Sequence, residues 1–170
     1  MMRPLLACTA AIALAATAAV AQDTTSATAT FISKAGKEAG TAKLTGTDKG
    51  VLIELNVSGL PAGQWVGFHV HETGNCDHSG GHMSAGGHFN PAKAAHGFND
   101  AKGPHAGDMP NQFIAADGTL KAQVFNSFVT LDKGDNAIRG KALMIHGKAD
   151  DYKTQPTGDA GDRQACGVIK

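Results

Sequence analysis

Eight histidines stand in this 170-residue sequence, and seven of them fall between His69 and His105. His69-Val70-His71 is the most informative triplet. Side chains two apart on an extended strand share a face, so two imidazoles are aimed at one spot from a rigid element. His88, His96, His105 and Asp108 follow in a stretch dense in Gly, Asn and Pro, and His146 stands apart in another apolar run. A long ordered loop of that kind inside a compact domain is usually functional. Imidazoles joined by a carboxylate are a ligand set for zinc and copper. One such histidine alone is more often a surface or satisfied core residue; it is the whole set that points to metal chemistry.

Short, turn-punctuated runs must position these residues. Residues 28–33 and 39–45 are β-prone and end at turns. Val51, Ile53, Leu55 and Val57 alternate with Leu52, Glu54, Asn56 and Ser58, the clearest strand of the chain. A loop over 59–63 precedes the His69/His71 strand, and residues 73–110 form the histidine-rich loop. Residues 112–115 and 119–124 predict a hairpin about Asp117-Gly118, after which Phe125, Phe128, Val129 and Leu131 run toward a turn at 133–136. Residues 138–146 are the next strand, 147–164 a second long polar loop, and 166–170 a closing strand. No apolar stripe of period 3.6 occurs past the N-terminal segment, so no long helix is expected. Seven or eight short strands predict one all-β domain, an antiparallel sandwich or barrel with two long functional loops.

Residues 1–21 read as a signal peptide: Arg3 supplies a positive start, residues 5–20 are apolar and Ala-rich, and Ala19-Val20-Ala21 fits the cleavage pattern. The apolar run is short for a membrane span, and Cys8 lies too near the N-terminus for a lipoprotein cleavage box, so no membrane anchor is expected. Residues 22–170 are then an exported domain, expected in a bacterial periplasm. Removing the leader leaves Cys76 and Cys166. In an oxidising compartment a disulfide is their natural reading, two separate thiols being the alternative. Lys plus Arg and Asp plus Glu number 15 each, with one Trp and one Tyr, so nothing suggests nucleic-acid or membrane binding.

Laid out in order, Gly67-Phe-His-Val-His-Glu72, Ser84-Ala-Gly-Gly-His-Phe-Asn-Pro91, Gly103-Pro-His-Ala-Gly-Asp108, Lys141-Ala-Leu-Met-Ile-His-Gly-Lys-Ala-Asp-Asp151 and Gly161-Asp-Arg-Gln-Ala-Cys-Gly-Val-Ile-Lys170 resemble the bacterial copper/zinc superoxide dismutases across nearly all of residues 22–170. The resemblance implies an eight-stranded Greek-key antiparallel β-barrel or sandwich of immunoglobulin-like architecture. It implies copper on His69, His71, His88 and His146, and zinc on His88, His96, His105 and Asp108, with His88 bridging the two metals. Asp150 resembles the outer carboxylate that hydrogen-bonds His69 and His96, and Arg163 the guanidinium beside the open copper position. Cys76 and Cys166 match the family's disulfide pair. The implied activity is disproportionation of the superoxide anion, with Arg163 and His88 as the catalytic residues.

Three features depart from the family or do not transfer. Val66, after Trp65, stands where family members often carry a histidine, which changes only how the chain enters the strand. His78 and His82 are extra histidines, read as solvated loop residues rather than ligands. Residues 151–160 differ from the charged guiding loop of the animal enzymes, leaving Lys148 and Lys153 as candidate steering cations. A periplasmic copper-binding or buffering protein on the same fold is the alternative function, and a zinc-stabilised structural domain a third. Arg163 discriminates the first two, because a copper store needs no cation beside its metal. The sequence allows a homodimer as well as a monomer.

Overall fold

The computed structural model describes residues 25–170; the expected leader, residues 1–21, lies outside them. Eight strands follow in order: β1 (Thr25–Ser33), β2 (Glu38–Thr47), β3 (Gly50–Val57), β4 (Gln64–His71), β5 (Asp108–Ile114), β6 (Leu120–Asn126), β7 (Ala142–His146) and β8 (Arg163–Ile169). One 3₁₀ turn, Met83–Ala85, is the only helical element among the described residues. All pairings are antiparallel, in the order β5-β4-β7-β8-β1-β2-β3-β6. The ends of this order, β5 and β6, lie against each other without a ladder, so the sheet is a nearly closed barrel. The connections β3 to β4 and β6 to β7 are its crossovers.

Period-two alternation produces the core. In β3, Val51, Ile53, Leu55 and Val57 are buried, whereas Asn56 is exposed. Phe31, Leu44, Phe68, Ile114, Leu120 and Ile145 fill the same interior from other strands. Each such burial is worth about 1.5–3 kcal/mol. Strand β4 departs from alternation, since Val66 through His71 are all buried. Phe68 and Val70 face the core, and His69 and His71 lie under the long loops.

Several boundaries differ from the sequence expectation. Asp108 opens β5, and Arg163 opens β8, so neither is a loop residue. Both are drawn into the sheet by their partners: Asp108 pairs with His69, and Arg163 with His146. The run over 138–146 shortens to Ala142–His146. Cys76 and Cys166 form a disulfide that ties the start of the first loop to β8. The sequence separation is 90 residues, and a closure of that size is worth about 4–5 kcal/mol in the chain-entropy model.

Candidate metal centre

β4 presents His69 and His71 on one face. His146 ends the neighbouring strand β7, at a register shift between Ile145 and His146. A bulge of this kind re-aims side chains. The first loop brings His88 beside His71 through an isolated bridge. Four donor atoms, one each from His69, His71, His88 and His146, lie within 4.8 Å of one another, and all four residues are buried. His88, His96, His105 and Asp108 form a second buried group of the same size. His88 belongs to both.

Hydrogen bonds select the nitrogen each ring turns inward. His71 Nδ1 donates to the Gly86 carbonyl at 2.9 Å, and His146 Nδ1 faces the Gly161 carbonyl at 3.4 Å. Their Nε2 atoms are thereby left as lone pairs, 3.3 Å apart. Two facing lone pairs repel, and a cation between them removes the repulsion. His69 is held through Nε2 by Asp150 Oδ2 at 2.7 Å, and His88 through Nδ1 by Asp108 Oδ1 at 2.9 Å. His69 Nδ1 and His88 Nε2 are buried without a partner among the described residues, as is His105 Nδ1. These orphaned nitrogens fit metal ions. Four imidazoles suit copper, and three imidazoles with a carboxylate suit zinc.

Asp108 organises the second group. Its Oδ2 accepts the Gly97 and His105 backbone N–H groups at 2.9 and 3.0 Å. Its Oδ1 faces Nδ1 of His88, His96 and His105 at 2.9, 3.2 and 3.4 Å. Burial opposes its charge, but the three imidazoles and two backbone N–H groups around it win and hold its carboxyl far below the usual range. His96 is flanked on both nitrogens, by Asp108 and by Asp150 Oδ1 at 3.0 Å. Burial lowers its proton affinity, yet the two carboxylates raise it to about 9. The first group behaves oppositely. Burial and neighbouring rings hold His71 and His146 well below normal, and burial with His69 brings His88 down to about 3.

Sequence reading missed the residues that hold Asp150. Between Val66↔Gln112 and Phe68↔Met109, β5 has two residues against the single Gly67, so Pro110 and Asn111 form a bulge. Asn111 N–H therefore donates to Tyr152 Oη at 2.7 Å instead of the ladder. The Asn111 amide grips the Asp150 backbone twice: Nδ2 donates to its carbonyl and Oδ1 accepts its N–H, both at 2.8 Å. Tyr152 N–H adds a bond to Asp150 Oδ1 at 2.6 Å. Gly158 (φ +67°) packs edge-on here: a Cβ would lie 1.8 Å from Asp150 Oδ1 and 2.6 Å from His96 Nε2. An asparagine three residues past Asp108 carries no signal of this role by itself.

A cavity of about 430 Å³ opens onto His146 and is lined by Arg163, Lys34, Met83 and Asp162. Arg163 Nη1 and Nη2 donate to the His82 and Gly86 carbonyls, each at 2.7 Å. Lys148 and Lys153 are exposed and absent from this lining, whereas Lys34, from the β1–β2 turn, reaches it. His78 is exposed. His82 is fully buried, which overturns its reading as a solvated loop residue. Val66 is buried and Trp65 exposed, packed on Phe113.

Residues 38–169 match the family model described as copper/zinc superoxide dismutase. The chain belongs to that family. Among copper/zinc superoxide dismutase relatives, Superoxide dismutase [Cu-Zn] 1 of Aquifex aeolicus is 49% identical over 146 residues, covering 84% of this chain and 86% of that protein. The Cu/Zn superoxide dismutase structure from Brucella abortus superposes with a TM-score of 0.72 at 30% identity, covering 86% of this chain and 100% of that one. A double mutant of a SOD-like protein from Bacillus subtilis gives 0.79 at 39% identity, over 82% and 94%.

Proposed function

We infer that this copper/zinc superoxide dismutase family member disproportionates superoxide: two superoxide anions and two protons become dioxygen and hydrogen peroxide. The observation that carries the reading is the sharing of His88 between two buried groups beside an arginine-lined cavity. His69, His71, His88 and His146 would hold copper, and His88, His96, His105 and Asp108 zinc. Copper supplies a reversible one-electron couple and zinc has none, so zinc's part is structural. Asp150 orients one ring of each group, His69 and His96. His88 would serve both metals, and its Nε2 would be the atom that holds a proton for the peroxide product. Arg163 docks the anion beside His146. A copper store on the same fold is the second reading, and it gives no role to Arg163 in that lining.

The test is metal content measured together with superoxide consumption, in the parent and in an Arg163 series. At about 5 Å a unit charge pair is worth roughly 0.8 kcal/mol in water and roughly 3 kcal/mol at an effective dielectric of about 20. Arg163→Ala should therefore slow turnover per copper about tenfold, Arg163→Lys less and Arg163→Glu most, with copper occupancy unchanged. Full occupancy without activity in the parent would establish the copper store instead.

Residues 1–21 are proposed as the leader that sends the chain to the periplasm; among the described residues no helix is long and apolar enough to cross a membrane. The exposed Trp65–Phe113 pair, with ring centroids 5.3 Å apart, supports a homodimer through β4 and β5. Sedimentation of the parent against Trp65→Ser tests it, and two equal monomer masses would refute it.

A further inference from the structure

His82 is a buried titratable side chain that belongs to neither ligand group. Neither ring nitrogen has a hydrogen-bond partner among the described residues. Its backbone is left-handed, with φ 61° and ψ 17°. That conformation favours glycine, and Gly80 and Gly81 stand immediately before it.

The ring is seated beside the Ser33 backbone at the end of β1. On the same segment His78 lies over the β1–β2 turn, where a Cβ on Gly36 would meet its Nε2 at 2.6 Å. The segment 77–82 thus runs beside the end of β1 and the turn after it, with His78 exposed and the His82 ring buried. The His82 carbonyl then accepts Arg163 Nη1, and the Gly86 carbonyl accepts Nη2. The same Gly86 carbonyl takes the His71 Nδ1 proton. The guanidinium is forked across the two ends of the Met83–Ala85 turn, with one end tied to a copper-group ring and the other to His82. Burial, with His78 and Arg163 nearby, lowers the proton affinity of His82.

We propose that His82 is a positioning residue for Arg163, its buried ring anchoring the segment whose carbonyl fixes the guanidinium. The inference rests on Arg163 being the anion dock. His82→Gly keeps the left-handed backbone and removes the ring, and His82→Asn is a second left-handed-tolerant replacement. Both are compared with the parent, and again in an Arg163→Ala background, for metal content, turnover per copper, and azide affinity read from the copper(II) absorption spectrum. Metal content should match the parent. Azide affinity and turnover should each fall about three- to tenfold in His82→Gly and less in His82→Asn, with almost no further loss once Arg163 is alanine. Unchanged azide affinity in His82→Gly would overturn the proposal. So would equal losses in both backgrounds, or metal loss in both variants, since the ring would then serve the fold alone. If Arg163→Ala itself changes neither readout, the dock reading fails and this one falls with it. If Arg163→Ala lowers both and His82→Gly neither, only this one fails.

Discussion

The two halves of the metal centre share His88 but are built differently. The copper half takes three of its four rings from strands, His69 and His71 from β4 and His146 from β7. The zinc half takes His96 and His105 from the loop between β4 and β5, and Asp108 from the first position of β5. In the all-nitrogen copper half His71, His88 and His146 hold protons poorly, whereas in the zinc half His96 keeps a proton up to about 9. Strand-borne rings are aimed by a ladder that exists before any metal arrives. Loop-borne ligands depend on backbone N–H bonds to Asp108 and on the Asn111–Asp150 clamp. The comparison teaches that the sheet preorganises one site and the polar network assembles the other.

The strongest way to break this contrast is to remove the shared ring. His88→Ala should abolish nearly all activity, weaken zinc, and leave a copper spectrum that no longer responds to zinc occupancy. Calorimetric titration with each metal reads this, and parent-like zinc affinity would exclude a bridging role.

Asn111→Ala should separate the halves. Asp150 loosens on His69 and His96 alike, but β4 still aims His69 whereas a loop carries His96, so zinc affinity should drop about 10–100-fold and copper affinity less. Competition against a chelator measures both, and equal losses would mean that Asn111 supports the fold instead.

Acidity should separate them too. In the metal-free chain the His96 proton affinity, raised to about 9 from 6.5, gives stability that is fully present below pH 6.5 and lost as pH rises through 9. Zinc must displace that proton, so its affinity should climb by up to about tenfold per pH unit in this window and then level. In the zinc-free chain copper uptake should release no proton from His71, His88 or His146, already neutral there. With both metals bound His88 must also give up its last N–H, so each metal is titrated alone. Proton release is measured in weakly buffered titrations; equal release for both metals would erase the distinction.

The smallest effect is expected at the cavity mouth, where Lys34 Nζ pairs with Asp162 at 2.7 Å. Lys34→Met should slow superoxide capture about twofold and Asp162→Asn should speed it about as much, both fading with added salt. A rate that ignores both changes would leave Arg163 as the sole guiding charge.

The sequence by itself determined what depends on local pattern. Period-two alternation defined β3, and the i, i+2 spacing of His69 and His71 placed both rings on one face, because strand geometry dictates facing without reference to partners. The ordered motifs carried the family resemblance. Cys76 and Cys166 were legible as a pair and, through the resemblance, as the tether of the ligand loop to the strand near Arg163. What the tertiary structure alone decided lies between residues far apart in the chain. The contact of Asn111 with Asp150 spans 39 residues, and Lys34 meets Asp162 across 128. No composition rule brings Lys34 to the mouth and leaves Lys148 and Lys153 outside it, because that depends on which turn packs beside β8. Burial of His82 follows from the same cause. A histidine among glycines in a polar loop reads as solvated until the β1–β2 turn, a strand pair away, covers it.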